Sequence, residues 1–244
     1  LNVQTQDVMV PVGGHSMPSY LARPDGDRPR PAVIVLQEIF GVNREVRRIA
    51  ELVAEAGYVA LAINYYHRTH PSLNEPYTPD GFKHGFEAAG AVRRENLLAD
   101  LEASIAWLNA QPFVERGKIA TIGFCFGGTL AFLSATLPGI RAAISFYGGM
   151  IAGNFPSGEP GPLADVAAVR APMLLFFGGK DEHITPDKVA QIDAGLAGHG
   201  KDYEIVTYPD SGHGFFRESS AKLNDADVAD AWTRVQAFLA SNLK

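Results

Sequence analysis

Cysteine occurs once in the 244 residues, at position 125. A lone thiol excludes an internal disulfide and any cysteine-cluster metal site. Positive charge is also in short supply. Lys and Arg number 21 against 27 Asp and Glu, a net charge of −6, which argues against a nucleic-acid partner, because phosphates demand clustered cations. No apolar run reaches the roughly 18 to 20 residues that a membrane helix requires. Leu1–Val10 lacks a basic stretch followed by an apolar core, so no signal peptide is visible. A single unpaired thiol fits a reducing compartment, and the expected location is cytoplasmic, short of a leader removed ahead of Leu1.

What the sequence does contain is core. Apolar residues make up 46% of the chain, enough to bury a substantial interior as one domain spanning residues 1–244. From about residue 32 short apolar runs alternate with amphipathic stretches. The expected strands are Ala32–Leu36, Tyr58–Tyr65, Lys118–Phe124, Ala142–Tyr147, Met173–Phe177 and Tyr203–Tyr208. Between them fall expected helices: one capped by Asn43 and ending at Gly57, a long one over Ala91–Gln111, then Gly127–Thr136, Pro186–Leu196 and Asp227–Leu243. Thr185-Pro186 supplies a hydroxyl cap followed by proline at the first helical position. Apolar strands joined by helices predict an α/β fold, a mostly parallel central sheet with helices on both faces.

Two segments break this rhythm. Val3–Arg23 reads as a pair of edge strands around a Gly13-Gly14 turn. His67–Gly90 is polar, rich in Pro, Gly and aromatic residues, and without a clear period, so it is read as a lid or binding loop.

The strongest chemical signal is Gly123-Phe-Cys125-Phe-Gly127-Gly128, which follows a strand and opens a helix. That is the setting of a nucleophile elbow, and a thiol at a helix N-terminus is favoured as thiolate. A dinucleotide loop is a weaker reading, because Cys125 replaces the middle glycine; a buried structural cysteine is the other alternative. Asp181 follows the strand MLLFF and His213 follows YEIVTY, in the nucleophile–acid–histidine order of the α/β-hydrolase fold. His213 would carry the proton and Asp181 would fix its tautomer. Glu182, Asp187 and Asp210 are rival acids. His15, His67, His70, His84, His183 and His199 follow no core strand and are expected to be solvated, and no metal site is expected. Glu38 ends an otherwise apolar strand at the same sheet edge, where a carboxylate is costly unless paired and is suited to proton exchange.

Gln37-Glu38-Ile39-Phe40-Gly41-Val42-Asn43, the cysteine elbow, Gly-Lys-Asp181 and Gly-His213-Gly-Phe215 together resemble the dienelactone hydrolase family, over residues 32–217. The resemblance implies a Cys125–His213–Asp181 triad and a role for Glu38 in holding or receiving the thiol proton. It also implies an oxyanion hole from the backbone N–H groups of Ile39 and Phe126, and an arginine, Arg217, that grips a substrate carboxylate. Family members acting on dienelactone use a second arginine before the long helix. Counting back from the elbow lands near Lys83, and none of Arg68, Arg93 and Arg94 is assigned to that role.

A thiolate leaves a tetrahedral adduct more readily than an alkoxide does, so a cysteine enzyme favours enol lactones or activated esters. Phe40, Phe82, Phe86, Tyr147 and Phe215 are candidates for an apolar pocket, with Phe40 and Tyr147 taken as substrate contacts. The expected partner is a small ester or lactone, with or without a carboxylate, with no cofactor, no nucleic acid and no membrane, the chain being a monomer or weak homo-oligomer. Two other readings stand beside this one: a broad-specificity carboxylesterase or thioesterase on the same triad, and a non-catalytic thiol-sensing domain.

Overall fold

The computed structural model describes residues 2–217 and 225–244. Eight strands form one sheet in the order β1-β2-β4-β3-β5-β6-β7-β8. β1 (Val3–Val12) and β2 (His15–Pro24) make an antiparallel hairpin, and β2 also runs antiparallel to β4 (Val59–Ile63). The remaining pairs, through β3 (Arg30–Leu36), β5 (Val114–Phe124), β6 (Ala142–Phe146), β7 (Met173–Gly178) and β8 (Tyr203–Tyr208), are all parallel. The hairpin turns on Gly13 and Gly14, both at positive φ, as a two-residue turn of this twist requires. Of its strands only β1 is at the edge; β2 is an interior strand.

Every residue of β4, β6 and β7 is buried. Such runs have no polar face to turn outward, so helices must cover both sides of the sheet, as they do here. α1 (Arg44–Glu55) begins at Asn43, whose side chain accepts from the amides of Glu45 and Val46, and turns Val46, Ile49, Ala50, Val53 and Ala54 to the sheet. α3 spans Arg94–Asn109, α5 Pro186–Gly198 and α6 Asp225–Asn242. α4 (Phe126–Ser134) is buried along its whole length. Burying Leu130, Phe132 and Leu133 stabilises it by about 1.5–3 kcal/mol each, and a 2.7 Å hydroxyl contact between Thr121 and Ser134 ties it to β5.

Four expectations need correction. Residues 67–90 are not all loop, for α2 occupies Pro79–Ala91. Its buried face is Gly81, Gly85, Ala88 and Ala89, a stripe of small residues that hydrophobic periodicity does not detect. Val92 and Arg93 are extended between α2 and α3, so the long helix starts three residues later than its pattern suggests. The Thr185 hydroxyl makes no capping bond, and its backbone carbonyl instead accepts from the amides of Lys188 and Val189. Finally, His67 is buried rather than solvated. It bonds to the fully buried Asp100 of α3 at 3.0 Å, and Arg68 pairs with the same carboxylate at 2.8 Å. The burial depends on a partner 33 residues away in sequence.

Candidate active site

At the carboxyl end of β5 the chain reverses into α4 through Cys125, at φ 54° and ψ −115°. This is a strained conformation for a residue with a side chain, and it persists only where the surroundings enforce it. The enforcement is close backbone packing. A Cβ on Gly123 would run into the carbonyl of Gly127, and one on Gly127 into the carbonyls of Leu36 and Gln37 at the end of β3. The Cys125 amide donates to the Phe146 carbonyl at 3.0 Å, continuing the sheet up to the turn. The thiol is partly exposed.

Asp181 follows β7 and its carboxylate is fully buried. Oδ1 accepts from the amides of His183 (2.8 Å) and Ile184 (3.0 Å), while Oδ2 lies 2.7 Å from Nδ1 of His213. These bonds and the adjacent imidazolium outweigh burial and hold the Asp181 carboxyl below its ordinary value. With Nδ1 committed, Nε2 is the ring nitrogen left for Cys125, which lines the same cleft as His213. Burial opposes a charged imidazole, but negative charge at Cys125 and the bond to Asp181 raise the His213 value to about 10. The rival acids are placed differently: Glu182 is exposed on the wall of the cleft over the thiol, Asp187 is exposed, and Asp210 pairs with Lys180 at 2.6 Å.

A cleft of about 470 Å³ opens over the thiol, lined among others by Ile39, Phe82, Phe86, Cys125, Met150 and His213. Its two sides differ. Phe82 and Phe86 of α2 stack 6.1 Å apart and remain 50% and 45% exposed, whereas Glu182, His183 and Lys188 line it from the β7–α5 side. His183 is exposed, as its sequence position suggested, yet its ring packs edge-on against His213 at 5.2 Å; no pattern in the sequence marked it for the site. The Phe126 amide is the first of α4, where a helix leaves its N–H groups without internal acceptors. Ile39 stands across the cleft on the segment leaving β3.

Beside the cleft lies a buried polar group. Glu38 is 3% exposed, and its Oε1 lies 3.3 Å from Nε of Arg217, a charge contact without the alignment of a hydrogen bond. The Arg217 guanidinium also sits 4.7 Å over the Tyr77 ring. Tyr147 is fully buried at φ 40°, with its ring 5.1 Å from His213. Burial, then the Glu38 charge, pushes its phenol well up. Phe40 is buried against Tyr77, ring centres 4.6 Å apart, and Phe215 is wholly in the core; neither is among the residues lining the cleft. Arg68 and Arg94 do not gather here either, since Arg68 pairs with Asp100 and Arg94 with Asp165. Among the described residues no group of three or more His, Cys, Asp or Glu is arranged to hold a metal, and no helix is long and apolar enough to cross a membrane.

Comparison with known proteins gives a consistent result. The model of the dienelactone hydrolase family matches residues 17–243. A Synechocystis protein provisionally named carboxymethylenebutenolidase is 36% identical over 244 residues, covering 100% of this chain and 99% of its own. A Bradyrhizobium protein provisionally named 2-oxo-3-(5-oxofuran-2-ylidene)propanoate lactonase is 31% identical, covering 95% and 92%. Among solved structures, a Klebsiella pneumoniae protein provisionally described as a dienelactone hydrolase superposes with a TM-score of 0.90 at 30% identity, covering 98% of this chain and 99% of that one.

Proposed function

This chain belongs to the dienelactone hydrolase family, a hydrolase of that type, and from that premise we propose that it cleaves an enol lactone or activated ester through Cys125, His213 and Asp181. The observation that carries the reading is the strained elbow thiol sharing one cleft with a histidine whose other nitrogen is held by a buried carboxylate at 2.7 Å. The Cys125 thiolate adds to the acyl carbon, and the carbonyl π pair moves to oxygen. The amides of Ile39 and Phe126 receive that oxyanion, a contribution of about 3 kcal/mol per donor in comparable sites. Collapse expels the enolate or phenolate, which takes a proton from His213, and leaves a Cys125 thioester. Neutral His213 then removes a proton from water, the hydroxide adds, and the acid departs with the thiolate restored.

Leaving-group chemistry narrows the substrate. A thiol titrates near about 8.5 and a phenol near about 10, so phenolates and enolates compete with the thiolate for expulsion, whereas a simple alkoxide does not. Arg217 beside the cleft suits a carboxylate on the substrate, and the Bradyrhizobium relative is named for a lactone that carries one. The exposed Phe82–Phe86 face favours a second reading on the same residues, a broader esterase or thioesterase accepting apolar acyl or aryl groups. Because Glu38 is paired with Arg217, His213 is the better supported acceptor of the thiol proton, with Glu38 secondary.

Cys125→Ala is the decisive variant. It should abolish hydrolysis of dienelactone and of aryl acetates, and brief exposure of the wild type to p-nitrophenyl acetate should add one acetyl group at Cys125 by mass spectrometry. Persistent hydrolysis by Cys125→Ala would overturn the proposal. Wild-type inactivity toward every acyl compound would favour the thiol-sensing alternative.

A further inference from the structure

Tyr65 is buried beneath the cleft, and its hydroxyl donates to the Gln37 carbonyl at 2.6 Å and, more weakly, to the Glu38 carbonyl at 3.2 Å. In an extended strand successive carbonyls point to opposite sides. Two consecutive ones reaching one hydroxyl therefore mark a bend where the chain leaves β3. The peptide unit between Glu38 and Ile39 is planar and trans, so its N–H points opposite to its C=O. With the Glu38 carbonyl turned toward Tyr65, the Ile39 N–H is turned away from it, and Ile39 lines the cleft with Cys125. The same side chain reaches the other arm of the site. The Tyr65 ring packs edge-on against the Phe126 ring, 5.8 Å between centres.

We infer that Tyr65 is a positioning residue for the oxyanion hole, its hydroxyl fixing the direction of the Ile39 N–H and its ring seating Phe126. The inference rests on the oxyanion assignment made above and extends it to a residue that touches no substrate. A bifurcated bond to two main-chain carbonyls is suited to this role because it fixes a peptide plane without placing a new charge near the thiolate. Burial first, then the charges of Tyr66, Cys125 and Glu38, pushes the Tyr65 phenol well up, so it remains a donor throughout the working pH range. From the opposite side, a Cβ on Gly85 of α2 would strike the Ile39 carbonyl. The segment is therefore held between Tyr65 and α2.

Tyr65→Phe keeps the ring and removes only the hydroxyl. Its kcat for p-nitrophenyl acetate should fall at least about tenfold with KM within twofold, approaching the loss seen when an oxyanion donor is deleted. Affinity for an aldehyde, whose hemithioacetal on Cys125 presents the same oxyanion, should fall by a matching factor, while affinity for acetate is unchanged. A residue that merely supports the fold would not separate aldehyde from acetate. Unchanged kcat, or equal losses for both ligands, overturns the inference. If Tyr65→Phe does not yield folded protein, 3-fluorotyrosine at position 65 applies the same test with a more acidic donor: a kcat change at constant KM supports the inference and no change overturns it. Cys125→Ala is assayed in parallel. Residual hydrolysis there removes the proposed function and this inference together, whereas an inactive Cys125→Ala beside an unaffected Tyr65→Phe removes this inference alone.

Discussion

Arg217 and Glu38 meet at 3.3 Å, with the guanidinium side chain 18% exposed and the carboxylate 4% exposed. A charge pair so far from water contributes little net stability but is costly to break, because the survivor is left desolvated. Arg217→Gln should destabilise the protein by about 3 kcal/mol in denaturant unfolding. Adding Glu38→Gln should recover part of that loss, because no buried carboxylate then remains. In kinetics, Arg217→Gln should raise KM for a carboxylate-bearing lactone at least about tenfold while shifting KM for a neutral aryl acetate much less, about 1.4 kcal/mol of selective binding. Equal shifts for both substrates would remove Arg217 from substrate recognition.

The His213 ring should remain imidazolium well above neutrality. Its value of about 10 lies above the ordinary 6.5, so its contribution to stability is complete below about pH 6.5 and is lost as pH rises through about 10. Ring-nitrogen shifts followed by NMR from pH 5 to 11 should show the transition near 10 in the wild type. In Cys125→Ala the thiolate charge is gone and burial opposes the cation, so the transition should move down. A wild-type midpoint near the ordinary value would mean that no ion pair exists at rest.

Phe82 and Phe86 are half exposed, so their removal should leave the fold nearly unaffected. Phe82→Ala and Phe86→Ala should shift the unfolding free energy by under about 1 kcal/mol, as surface changes usually do. Each should nevertheless raise KM for a naphthyl ester about tenfold, with a smaller effect on the corresponding acetate of a compact phenol. Unaltered KM for both esters would show that the stacked pair lies outside the substrate path.

The parallel sheet was legible because its inner strands β4, β6 and β7 are buried on both faces and therefore read as unbroken apolar runs. The placement of Cys125 and Asp181 at strand ends was legible because each follows such a run, that of His213 rested on the half-exposed edge strand β8, and Asn43 was legible because a cap acts within three residues. What escaped the sequence depends on partners remote along the chain. His67 is interior only because Asp100 meets it from α3, and Tyr65 looks like a strand end until its hydroxyl is seen against Gln37 and Glu38. α2 was missed for another reason: its core-facing positions are glycine and alanine, which carry almost no hydrophobic signal. Phe40 and Phe215 could not be told from cleft-lining aromatics by composition, since core and pocket draw on the same residue types.

The stripe of small residues on α2 divides that helix into a side that tolerates nothing and a side that tolerates almost anything. Gly81 and Gly85 abut the carbonyls of Pro76 and Ile39, so a methyl group at either would displace the helix and disturb the segment that carries Ile39. One residue further on from each, Phe82 and Phe86 face open space. Mutational drift at those two positions should therefore remodel which molecules are admitted while the rest of the cleft is inherited intact, and a lineage would change its diet without relearning its chemistry.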